Sequence, residues 1–174
     1  IDIPLKQIGN SIKYNKLFDK SKAINIFKNG VLELLETSNK LGVELYIENN
    51  VLSQTNFNNY HSQNPFLFTS SETISDILVD GVKPLLDFAH LKVSCKVLNL
   101  DLKEEVNKLI DKTDYIHLSD NNGHNDQNKR INLSSDIFKL LSKSNLNNKV
   151  ITLEVYDSLD AIKDSVDNLE AHIK

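Results

Sequence analysis

The feature that most restricts this chain is a repeated alternation between two hydrophobic periodicities. Ala23, Ile24, Phe27, Val31, Leu34, Leu35 and Leu41 recur at three- and four-residue steps, which predicts an amphipathic helix, and Gly42 follows as a helix-ending residue does. Residues 43–48 then alternate apolar and polar side chains, the pattern of a half-buried strand. The same pair of signals returns three times. Thr69 and Glu72 form a capping-box signature for a helix to about Val79, and a strand follows over 82–88. Asp101 and Glu104 repeat the signature for a helix to about Lys112, ahead of a strand over 115–118. Ser134 or Ser135 opens a helix carrying Ile137, Phe138, Leu140 and Leu141, and a strand follows over 150–155. Leu159, Ile162, Val166, Leu169 and Ile173 mark a closing helix. The order αβαβαβαβα predicts an α/β fold of parallel strands with helical crossovers. The 174 residues suit a single domain over 1–174, with 1–20 as an irregular lead-in.

Composition narrows the partners. With 40% hydrophobic residues the chain is too apolar to be disordered, and no run approaches the ~20 apolar residues of a membrane-spanning helix. A net charge of −4, with one arginine against 19 lysines, is a poor electrostatic match to nucleic acid. The single cysteine, Cys95, excludes an internal disulfide framework and a Cys-rich zinc site. Together with the lack of a signal-peptide pattern, it leads us to expect a cytoplasmic protein. Cys95 itself reads as a half-buried packing thiol. The chain starts Ile1-Asp2-Ile3-Pro4 and has no methionine, which reads as a removed start residue or a piece of something longer.

Helix-to-strand connections read as short, whereas strand-to-helix connections read as long, over about 49–70, 89–100 and 119–133. Long loops at the C-terminal ends of parallel strands are where α/β proteins place their chemistry. There each strand delivers a ligand-type side chain: Glu48, Asp87, His117 and Glu154, spaced 39, 30 and 37 residues apart. Parallel strands lie ~4.8 Å apart, so these distant positions can converge. Three carboxylates with one imidazole form a hard, oxygen-rich set. It suits Mn²⁺ or Mg²⁺, and its histidine also admits Co²⁺, Fe²⁺ or Zn²⁺. On the same loops, Lys92, Lys129 and Arg130 are candidate binders of a substrate phosphate or carboxylate. Asp120 and Asp126 are candidates to orient His117 or a substrate hydroxyl.

The segments LYIENN (45–50), LLDFAHLKVS (85–94), IHLSDNNGHND (116–126) and TLEVYDS (152–158) resemble the second half of a xylose-isomerase-like TIM barrel. That superfamily includes sugar and sugar-phosphate isomerases and epimerases, and the endonuclease IV group of DNA-repair enzymes. The resemblance implies a partial (β/α) barrel of about four units, comprising the later strands. It implies divalent-metal ligation by Glu48, Asp87, His117 and Glu154, and a place for His90 facing the substrate or a further metal. It further implies that Glu48 and Glu154 flank a carbohydrate substrate and exchange its proton through an enediolate. That is the chemistry of an aldose–ketose isomerase or epimerase. Catalysis is not expected from these strands alone.

Two rivals stand beside that reading. A phosphodiesterase of the endonuclease IV kind needs more histidines, yet this chain has Asp126-Gln127-Asn128 where relatives often carry Asp-x-His. A barrel fragment serving only binding or assembly is the other. A closed barrel of this type takes about 250 residues, so the missing strands are expected from an upstream portion or another chain, including a homo-oligomer partner. An open half-barrel is expected to expose two sheet edges and an apolar interior face.

Overall fold

Four parallel strands, hydrogen-bonded in the order β1-β2-β3-β4, run through a computed structural model of the chain that describes residues 17 and 19–172. Ile173 and all of the expected lead-in except residues 17, 19 and 20 lie outside that description. The elements are α1 (Lys20–Leu41), β1 (Tyr46–Glu48), α2 (Gln54–Asn59), α3 (Ser71–Ile77), β2 (Lys83–Asp87), α4 (Phe88–Leu98), α5 (Leu102–Leu109), β3 (Tyr115–Leu118), α6 (Asp136–Leu141), β4 (Val150–Leu153) and α7 (Leu159–His172). A 3₁₀ turn, Ile110–Lys112, carries α5 towards β3.

Local chemistry explains most boundaries. Gly42 ends α1 at φ 66°, a left-handed conformation that favours a residue without a Cβ. Ser53, Ser70, Asp101 and Ser135 cap the starts of α2, α3, α5 and α6 with their side-chain oxygens. The expected capping box at Thr69 and Glu72 is displaced by one residue: Ser70 and Thr73 form it.

The largest correction concerns 89–100, expected as a loop. It is almost entirely α4, which begins directly after β2 with Asp87 as its N-cap. Phe88, Ala89, Leu91, Val93, Ser94 and Cys95 are all buried in α4, so packing on more than one side hides the helical stripe. Cys95 is fully rather than half buried, and burial pushes its thiol up to about 12. With the short α2 inside 49–70, the long strand-to-helix connections reduce to the segments after β1 and β3.

Strand parity divides the sheet into two faces. Leu86, Ile116 and Leu118 point to the helices and join Phe88, Leu91, Val106, Leu109 and Ile137 in the core. Closing each such side chain from water contributes about 1.5–3 kcal/mol. The opposite parity holds Tyr46, Glu48, Lys83, Leu85, Asp87, Tyr115, His117, Val150 and Thr152. This interior face is not apolar as expected: it is a mixture of hydroxyls, ligand-type groups, one ammonium and two aliphatic residues, and Tyr46, Tyr115 and Thr152 remain partly open to solvent.

Candidate metal centre

The four strand-end residues meet at the C-terminal edge of the sheet. Glu48 ends β1, Asp87 ends β2, His117 is the penultimate residue of β3, and Glu154 follows β4. They are not at one level of the hydrogen-bond ladder. Glu48 lies opposite Leu85, two residues before Asp87, while His117 lies opposite both Asp87 and Thr152, two residues before Glu154. That climb is what tilted, sheared barrel strands require if side chains are to share one height. One ligand atom from each of the four lies within 4.8 Å of those of the others, a set that can hold a divalent cation.

Asp87 is closed from solvent. Its Oδ1 accepts the His90 amide at 2.7 Å as the cap of α4, while Oδ2 is buried without a hydrogen-bond partner. Burial pushes this carboxyl up to about 6, against the pull of nearby His90. A lone buried carboxylate oxygen is costly unless a proton or cation meets it, so the residues present fit a hard metal ion. His117 sits between the two outer carboxylates, its Nδ1 3.3 Å from Glu48 Oε1 and 3.3 Å from Glu154 Oε1. The Tyr115 ring meets the His117 ring edge-on, with centroids 5.4 Å apart.

His90 adjoins the cluster. Its Nδ1 is 2.9 Å from the Asn49 carbonyl oxygen and 3.6 Å from Glu48 Oε1; its Nε2 is 3.3 Å from Asp126 Oδ2. Burial disfavours the charged imidazole. Hydrogen bonding to Asp126, the charge of Asp87 and the Asn49 carbonyl outweigh it and raise the group to about 10. The structure thus places His90 and Asp126 beside the four ligand candidates. Lys92, Asp120 and Arg130 make their contacts elsewhere. Lys92 pairs with Asp120 at 2.7 Å, and Arg130 reaches Asp164 on α7 at 3.3 Å. Lys129, likewise, lies 3.6 Å from Asp157.

Sequence reasoning missed Asn49. It is buried, donates its side-chain amide to the Asp87 carbonyl at 3.0 Å, and accepts the Asp87 amide at 2.7 Å. Its side chain thereby extends the β1–β2 ladder past Glu48 and fixes the backbone of Asp87, and its own carbonyl receives His90. The only available signal was an amide directly after a strand-ending carboxylate.

No protein-family model matches the chain, and no curated protein matches it in sequence. Solved structures do. A D-tagatose 3-epimerase-like protein matches with a TM-score of 0.67 at 20% identity, over 87% of this chain and 55% of its own. The 3-keto-D-glucoside 4-epimerase of E. coli matches with a TM-score of 0.58 at 13% identity, over 90% of this chain and 55% of its own. A D-psicose 3-epimerase, solved in the presence of D-fructose, matches with a TM-score of 0.54 at 16% identity, over 92% and 58%. The chain spans little more than half the length of these structures. Among the described residues no helix is long and apolar enough to cross a membrane. Four consecutive parallel strands with alternating helices are laid on these solved structures, so the chain shares their α/β fold over little more than half of their length.

Proposed function

We propose that the chain forms the metal-binding half of a divalent-metal-dependent sugar or sugar-phosphate isomerase or epimerase. The observation that supports this best is the convergence of Glu48, Asp87, His117 and Glu154 around the unpartnered Asp87 Oδ2. Mn²⁺, Mg²⁺ or Co²⁺ held by these four would polarise a substrate carbonyl and offset the charge left when a proton leaves the neighbouring carbon. The protein's own groups divide the remaining work by exposure. Asp87, enclosed and committed to α4, holds. Glu48 and Glu154 keep 38% and 27% of their side chains exposed and flank His117, so one removes the substrate proton and the other returns it on the opposite face. Such acid–base catalysis contributes ~10²–10⁴-fold. His90, with one ring nitrogen on the Asn49 carbonyl and the other on Asp126, contributes positive charge beside the substrate. The outer edges of β1 and β4 pair with the remaining barrel strands, supplied upstream or by another chain, and these complete the substrate pocket.

The test is a Mn²⁺ titration of the chelator-stripped chain by electron paramagnetic resonance, followed by NMR of hexuloses and their phosphates in D₂O. One ion should bind to the chain alone, His117→Ala should weaken it, and deuterium should enter beside the carbonyl once the remaining strands complete the pocket. No stoichiometric binding, or no exchange in any of these sugars with the pocket completed, overturns the reading.

A further inference from the structure

The segment after β3 brings Asp126 to His90, and it is fastened to α4 at successive points. Lys92 reaches from α4 with its ammonium 2.7 Å from Asp120 Oδ1 and 2.7 Å from the Asn121 carbonyl oxygen. Only 16% of the Lys92 side chain and 11% of the Asp120 side chain are exposed. Asp120 Oδ1 also accepts the Asn121 amide at 2.8 Å. The backbones of Asp120 and Lys129 exchange two hydrogen bonds, of 2.8 and 2.9 Å, which close the base of the 120–129 loop. The Asn121 side-chain amide donates to the Ala89 carbonyl at 2.9 Å. The fastening therefore runs along α4 from Ala89 through His90 to Lys92.

We propose that Lys92 is a positioning residue: with Asp120 it forms a nearly buried ion pair that sets the 120–129 loop and so holds Asp126 against His90 beside the metal cluster. This assigns Lys92 and Asp120 to each other rather than to a substrate anion. A phosphate would have to displace a carboxylate from an ammonium already donating to two oxygens. Removing the cation leaves the Asp120 carboxylate enclosed without its counter-charge, a strongly unfavourable state that the loop escapes by moving out to water. The effect on a sugar substrate rests on the proposed isomerase or epimerase function; the fastening of the loop does not.

The test uses the full chain without added metal. Hydrogen exchange of residues 120–129 and the imidazole NMR signals of His90, identified by their loss in His90→Gln, are compared across variants. Lys92→Met should speed loop exchange by about tenfold or more and move the His90 signals, whereas Lys92→Arg, whose guanidinium reaches the same oxygens, should restore both. If Lys92→Met does not fold, the double variant Lys92→Met/Asp120→Asn carries no lone buried charge and gives the same two readouts. Unchanged loop exchange together with unmoved His90 signals in the folded variant overturns the proposal. Mn²⁺ binding by the unaltered chain is read separately, so the enzyme reading can fail while the loop and His90 still decide this one.

Discussion

On the helix side of the sheet, Leu86, Ile116 and Leu118 are closed from solvent and surrounded by other apolar residues. One residue along the same strands, Tyr46, Glu48, Tyr115, His117 and Thr152 carry polar groups and keep part of their surface open. Both faces use the same backbone and the same hydrogen-bond ladder. The difference teaches that strand parity separates the apolar groups that hold this fold from the groups that gather at the candidate metal centre. A residue on one face can then be changed with limited effect on the other.

The most forceful way to break that separation is Ile116→Ala, which should cost about 2–5 kcal/mol of stability in urea denaturation. Mn²⁺ affinity, corrected for the folded fraction, should stay where it was; a matching loss of affinity would show that the faces are not independent. Asp87 sharpens the comparison from the other side. In the folded chain its carboxyl titrates near 6, above an ordinary carboxylate. Between about pH 4 and 6 the unfolded chain ionises this group and the folded chain keeps the proton. Metal-free stability should therefore fall as pH rises through that window, by up to about 2–3 kcal/mol. The difference between wild type and Asp87→Asn, which retains a capping oxygen, isolates this contribution. A difference that does not vary with pH would contradict the burial argument.

A smaller effect is expected at Asn49, which touches the cluster only through Asp87 and His90. Asn49→Ala should weaken Mn²⁺ binding by about 10–100-fold, measured by the same titration, with His117 still in place. The smallest belongs to Tyr115→Phe, which removes the contact of 3.1 Å between the Tyr115 and Thr152 hydroxyls. It should cost about 0.5–1.5 kcal/mol at most, because water can reach both groups. A larger loss would mean that the open face contributes to holding the fold after all.

How much of this was legible depended on how far each signal travelled along the chain. The strand Tyr115–Leu118 was readable to the residue, because the Thr113-Asp114 turn and the apolar Ile116 and Leu118 are all local. The four candidate ligand positions were readable because each lies at or just past the end of its own strand, so a periodic signal repeats with a chemical one. Helix α4 was hidden, since burial on several sides erases the polar stripe that marks a helix, and its cap was already read as a ligand. Asn49 gave no signal in a chain with 22 asparagines, for its partner is backbone 38 residues away. Lys92 and Asp120 each looked like a loop charge facing substrate. Their pairing, across 28 residues of sequence, exists only once α4 is a helix and the loop has closed.

Asp87 belongs to both sides of that division, and this limits what evolution or a protein engineer can place there. One oxygen starts α4 and the other lies at the cluster. Serine or threonine would cap the helix but has no second oxygen, and glutamate has the charge but its longer chain is ill suited to the cap. Asparagine keeps the cap and loses the anion. Of the common side chains, aspartate alone serves both demands, so position 87 should tolerate less variation than any other candidate ligand position among the four. Glu48 and Glu154, which cap nothing, have room to change while the barrel still folds.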